Sequence, residues 1–260
     1  MLCGKFFGGR NILCYKLRML RQVTRLVTIA FFASLAACGT VSTSGVKNTS
    51  KTFNTVVVDA GHGGKDSGAY RRYGPAEKMI ALDVAQRLNR KLRESQLKTV
   101  MTRNSDVFIE LNDRVAIENS QKNAVFVSIH FNDSRKRRVR GFETYYHSGA
   151  SFNLASQIQS KLMTIPNSSN GGVHKANFRV LRLATCPAVL VECGYLSNRS
   201  EASKTRDWEY RELLADRIAD AIVEQRFGSG VYKASARLAA ETQPQPSTGG
   251  TGLTPGTGRR

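Results

Sequence analysis

His62, Glu77, His130 and Glu192 are the residues of this chain best placed to do chemistry. His62 follows the apolar run Val56-Val57-Val58-Asp59-Ala60, inside the turn Gly61-His62-Gly63-Gly64. His130 ends the run Val125-Phe126-Val127-Ser128-Ile129, and Glu192 ends Ala188-Val189-Leu190-Val191. Such runs read as buried strands, and open α/β sheets bind ligands at the carboxyl ends of their strands. Two imidazoles and two carboxylates gathered there suit a catalytic zinc, which takes three protein ligands and keeps a fourth position for water. Zinc lowers the pKa of that water to about 7. A carboxylate outside the ligand set, the role that fits Glu192, then carries protons. Glu77 opens a helix fifteen residues after His62, near enough to fold back over the glycine turn.

Each of these residues also has a structural reading. A histidine at a strand end is often a packing residue, Glu77 suits a helix N-terminus through the dipole, and Glu192 suits a strand-end ion pair. No spacing here matches a short metal motif such as His-Glu-x-x-His. His147 and His174 compete as ligands, with a substrate-side place the better fit for His174.

The elements that must position these groups alternate along the chain. Strands are predicted over 55–59, 97–102, 124–130, 141–146, 180–183 and 188–192. Helices are predicted over 75–94, 111–121, 151–163 (capped by Ser151) and 207–227. The first helix carries Ile80, Val84, Leu88 and Leu92 on one face, and the last carries Leu213, Leu214, Ile218 and Ile222. This alternation predicts an α/β fold: a single three-layer domain with a twisted, mostly parallel or mixed sheet of about six strands flanked by helices.

The ends read differently. Residues 1–37 carry six basic residues and no acid, and their loss takes the formal charge of the 260-residue chain from +19 to +13. Arg21 and Arg25 precede an apolar run that ends Leu35-Ala36-Ala37-Cys38, the pattern of an export signal. That ending resembles the bacterial lipobox and implies a lipid on Cys38. Gly39 behind the cysteine implies the outer membrane, periplasmic face, where the cell has one, and Met19 is a second plausible start. Residues 38–53 read as a flexible tether, 54–227 as the catalytic domain and 228–260 as a disordered tail. Cys186 and Cys193 stand roughly 23 Å apart at strand rise, too far to bridge, so both are expected as buried free thiols. The basic excess suits an anionic partner. The run Arg135-Lys136-Arg137-Arg138 reads as a solvated loop or a binding patch, and no nucleic-acid-binding motif accompanies it.

Four stretches resemble the zinc-dependent N-acetylmuramoyl-L-alanine amidases of the type 3 family. They are Val57–Gly64, Glu77-Lys78, Val127–His130 and Pro187–Asn198. Thr102-Arg103-Asn104-Ser105-Asp106, Leu111-Asn112-Asp113-Arg114 and Gly141–Tyr146 support them in the same order. The resemblance implies one zinc per chain held by His62, Glu77 and His130, with Glu192 as the catalytic carboxylate. It implies hydrolysis of the amide between N-acetylmuramic acid and L-alanine in peptidoglycan. Ser67 stands where the family commonly has proline, and Phe131 where a smaller residue is usual. Only Ser148-Gly149-Ala150 fill the place where some relatives carry a helical insertion over the zinc, so an open site is expected. A monomer bound to peptidoglycan, and to no nucleic acid, completes the expectation. A zinc peptidase acting within the stem peptide and a non-catalytic wall-binding module stand as alternatives.

Overall fold

The structure is a computed structural model that describes residues 45–70 and 74–229. The signal over 1–37, the lipid on Cys38 and the tail from 230 onward lie outside the described residues. So does the start of the stretch read as a tether.

Six strands form one sheet in the order β2-β1-β3-β6-β4-β5. They are β1 (Thr55–Ala60), β2 (Lys98–Met101), β3 (Ala124–Asn132), β4 (Phe142–Tyr146), β5 (Asn170–Lys175) and β6 (Ala188–Tyr195). The β2-β1-β3-β6 run is parallel, β4 meets β6 antiparallel, and β5 joins β4 parallel. The sheet is therefore mixed, as expected. β1, β3 and β6 lie at its centre, buried on both faces, which explains why their sequences run apolar without alternation.

Side chains of alternate parity feed two cores. On one face Val56, Val58, Val127 and Val191 pack under three helices: α1 (Glu77–Glu94), α3 (Phe152–Leu162) and α6 (Trp208–Phe227). On the other face Val57, Phe126 and Leu190 pack under α2 (Leu111–Asn119) and the one-turn α4 (Arg179–Arg182). The short α5 (Arg199–Lys204) precedes α6. The predicted faces hold: Ile80, Val84, Leu88 and Leu92 are buried in α1, and Leu214, Ile218 and Ile222 in α6.

Four expectations need correction. The segment 180–183 is helical rather than extended, because Val180 and Leu181 reach the core from one turn and so short an apolar run carries no usable period. The sixth strand is instead β5, an edge strand containing Gly171-Gly172 with hardly any apolar side chain. Ser151 does not cap α3; its Oγ accepts the Ala188 N–H at 2.9 Å, tying the helix start to β6, while Ser148 caps the turn before it. Residues 45–53 are not free tether: Phe53 is fully buried, Thr49 Oγ1 donates to the Ala124 carbonyl at 2.6 Å, and Gln225 holds the Ser50 carbonyl. Cys186 and Cys193 are buried and unpaired, as expected.

Candidate metal centre and catalytic cleft

Three strand ends and one helix start build the site. β1 runs out at Ala60 and turns through Gly61 into His62, whose φ of +59° is a left-handed conformation rare outside glycine. Arginines hold this turn from outside. Arg103 donates to the carbonyls of Ala60 (2.9 Å) and Gly61 (2.6 Å), and Arg114 donates to those of Ala60 (2.7 Å) and His62 (2.6 Å). Arg114 also pairs at 2.6 Å with Asp59, which receives the hydroxyls of Thr102 and Ser128. Burial opposes ionisation of Asp59, but Arg114 and these two hydroxyls outweigh it and hold the carboxyl below its usual range. The strained turn is thus over-determined by a buried ionic frame.

His62, Glu77 and His130 come together. Their ligand atoms lie within 4.8 Å of one another. Glu77 Oε1 sits 2.9 Å from His62 Nε2 and 3.0 Å from His130 Nδ1, and it accepts the Phe131 N–H at 3.0 Å. Its other oxygen accepts the Ala69 N–H at 2.8 Å, so the loop ahead of α1 fixes the carboxylate. Burial opposes the charge on Glu77, and the hydrogen bonds from His130 and His62 overcome it, holding this carboxyl far below its usual range. His62 is half-buried, which lowers its pKa; Glu77 and Asp66 more than reverse this, and the net shift is upward.

Asp66, which the sequence reading did not single out, lies 2.8 Å from His62 Nδ1. That contact fixes the tautomer and leaves Nε2 facing the cleft, the carboxylate–histidine arrangement that orients metal-ligating imidazoles. The available signal was the Gly-rich turn itself, in which an acid four residues after the histidine folds back under the ring. Two glycines make room for the site's own side chains. A Cβ on Gly61 would lie 2.5 Å from His130 Nε2, and one on Gly68 2.5 Å from Glu77 Oε2 and 2.7 Å from His62 Cδ2.

Glu192 stands beside His130 in the β3–β6 register and opposite Glu143 in the β4–β6 register. Its Oε2 is buried without a hydrogen-bond partner. Burial first, then the neighbouring Glu77 and Glu143, raises its pKa well above the ordinary value. Glu143 itself accepts from the hydroxyls of Tyr145 (2.5 Å) and Tyr195 (2.8 Å) and the amide of Asn132 (3.0 Å). All four site residues line one cleft of about 830 Å³, together with Phe108, Leu111, Phe178 and Arg179. His147 and His174 do not join it: their rings bond the carbonyls of Ala176 and Gly171. β4 passes to α3 through one 3₁₀ turn at Gly149–Ser151, so no inserted helix stands there.

The donor set fits zinc: two imidazoles and a carboxylate, borderline-to-hard ligands in a small cluster with an oriented first histidine. Comparison with known proteins identifies the family. Residues 56–224 match the family model described as N-acetylmuramoyl-L-alanine amidase. The chain belongs to that family. It is 40% identical over 172 residues to the Bacillus subtilis protein YqiI, covering 65% of this chain and 82% of that one. It is 38% identical to N-acetylmuramoyl-L-alanine amidase LytC of B. subtilis over 65% of this chain, but spans only 35% of LytC's length. Among solved structures, the catalytic domain of the amidase CwlV from Bacillus (Paenibacillus) polymyxa var. colistinus superposes with a TM-score of 0.62 at 39% identity, covering 66% of this chain and 97% of that one.

Proposed function

We propose that the chain is a zinc-dependent peptidoglycan amidase that cleaves the bond between the lactyl group of N-acetylmuramic acid and L-alanine of the stem peptide. The observation that carries the reading is the unpartnered Glu192 oxygen, set in the same cleft as the His62–Glu77–His130 donor cluster. A zinc ion in that cluster would supply a Lewis acid able to acidify a water and polarise an amide carbonyl. His62 would offer Nε2, held in aim by Asp66, and Glu77 would be held in place by the Ala69 and Phe131 amides.

Glu192 is the proton carrier. Its free oxygen takes a proton as water adds to the amide carbon and delivers it to the alanine nitrogen as the C–N bond breaks. The products are a carboxylic acid on the lactyl group and a free peptide amine. Burial and nearby carboxylates disfavour a permanent charge on Glu192, which suits a group that accepts a proton and gives it back.

Wall location follows from the same reading. Export by the signal at 1–37 and a lipid on Cys38 would bring the domain to peptidoglycan. Among the described residues no helix is long and apolar enough to cross a membrane. One chain carries all four site residues, so a monomer suffices.

The test is mass spectrometry of muropeptides from sacculi treated with the protein, with and without a chelator. The expected products are glycan ends with free lactyl groups beside intact stem peptides, abolished by the chelator and restored by zinc. Shortened stem peptides would make the protein a peptidase, and unaltered muropeptides a binding module. Glu192→Gln is expected to lower turnover by about 10³-fold while zinc content stays at one per chain; unchanged turnover refutes its role.

A further inference from the structure

The loop from β3 to β4 carries Arg135, Lys136, Arg137, Arg138 and Arg140, all exposed. Arg140 lies near Glu201 and is partly balanced by it. The first four have no ion-pair partner among the described residues. Four adjacent like charges repel, at about 1 kcal/mol for a pair 4 Å apart in water, and no ion pair among the described residues relieves them.

The backbone beneath them is nevertheless held in place. The Ser134 N–H donates to Ser197 Oγ at 2.9 Å, Asn198 Nδ2 donates to the Arg137 carbonyl at 3.1 Å, and the Val139 N–H closes a turn on the Lys136 carbonyl at 3.0 Å. Beyond the run, the Gly141 N–H donates to Glu201 at 2.8 Å. Ser197 and Asn198 come two and three residues after the end of β6, the strand that bears Glu192, so the loop is pinned to the same end of the sheet as the site.

Position links the loop to the cleft. Asn132 and Asp133 line the cleft, and Arg135 is two residues further on. Arg138 lies at most about 19 Å of extended chain from Asp133, at 3.8 Å per Cα step. A fibrous polymer would lie across loop and cleft together.

We propose that Arg135, Lys136, Arg137 and Arg138 form a binding surface, separate from the reacting centre, for the carboxylates of neighbouring stem peptides in the polymeric wall. The inference rests on the amidase reading of the cleft. The surface raises the rate of encounter with intact sacculi and contributes nothing to bond cleavage. Such steering is worth about 10- to 10³-fold in association rate at low salt. It fades as the screening length contracts from about 10 Å at 0.1 M salt to about 3 Å at 1 M.

The test compares the full-length protein with the R135Q/K136Q/R137Q/R138Q variant, after matching thermal midpoints confirm that both are folded. Pelleting with purified sacculi and kcat/KM on sacculi are measured from low to about 1 M salt, alongside kcat/KM on a soluble muramyl peptide bearing one stem. The variant is expected to lose about tenfold in sacculus binding and kcat/KM at low salt, with the gap closing at high salt. On the soluble fragment the two proteins should agree within twofold. Equal behaviour on sacculi at low salt overturns the proposal, as does an equal loss on the soluble fragment. So does loss of pelleting with phosphatidylglycerol vesicles while sacculus binding persists, which would make the loop a membrane surface. Wild-type cleavage of the soluble fragment reports on the amidase reading independently, so the two inferences fail separately.

Discussion

Gly61→Ala tests how tightly the backbone of the first turn fits the second histidine. The added methyl would lie 2.5 Å from His130 Nε2 and 2.7 Å from Nδ1, and closer still to Cε1, where ordinary contact begins at 3.4 Å. Relief requires a separation of about 1 Å between ring and turn. The turn cannot yield readily, because Arg103 and Arg114 hold the carbonyls on either side of it. His130 must therefore move off Glu77 and out of the donor cluster. A displacement of about 1 Å at a reacting centre costs on the order of 10²-fold in rate, and overpacking a buried site costs about 1–3 kcal/mol of stability. The expectation is a fall of about 10²-fold in kcat/KM on sacculi, a zinc affinity weakened at least tenfold in chelator competition, and a moderate drop in the urea midpoint. Zinc affinity within threefold of wild type, with normal activity, would refute the view that this glycine exists to admit the imidazole.

Asp66→Ala removes the partner of His62 Nδ1, and zinc affinity is expected to fall about 10- to 100-fold, read by competition with a chromogenic chelator; an unchanged constant would show that the ring needs no such support. Asp59→Asn leaves Arg114 buried without its carboxylate and is expected to cost about 3–5 kcal/mol in denaturant unfolding; a loss under 1 kcal/mol would mean that the two hydroxyls and the turn carbonyls suffice. Glu118 is fully buried on α2, with Oε2 unpartnered and Cys186 Sγ 3.5 Å from Oε1. Burial raises its pKa from 4.5 to about 9. The folded state thus holds a proton that the unfolded chain releases, so this group's contribution is full below pH 4.5 and declines as pH climbs toward 9. At about 1.4 kcal/mol per unit the decline is at most about 6 kcal/mol. Glu118→Gln should flatten the fall in thermal midpoint between pH 5 and 9, and parallel curves for both proteins would dismiss the effect.

Much of the site was legible because each piece carries a local signal. β-Branched runs mark β1, β3 and β6, buried on both faces of a parallel sheet, and the polar residue that ends each run stands out against them. Spaced leucines and isoleucines gave the faces of α1 and α6 for the same reason, since burial of one stripe imposes the helical period. Family resemblance then joined residues that spacing alone left as separate possibilities.

Other features had no local mark. β5 is held by its pairing with β4 rather than by apolar alternation, and α4 is a single turn bent by the core beneath it. Phe53 and Thr49 sit in a stretch of polar composition, yet pack and bond against residues more than 70 positions away. The sequence by itself determined which side chains are available for metal and proton chemistry and that β1, β2, β3, β4 and β6 are strands. Only the tertiary structure decided that Asp66 aims His62, that Asp59 and two arginines lock the strained turn, and that Glu192 lies between His130 and Glu143 with an oxygen left free. The reason is physical: residue type is a property of one position, whereas strand register and buried ion pairing arise only when distant segments exclude water together.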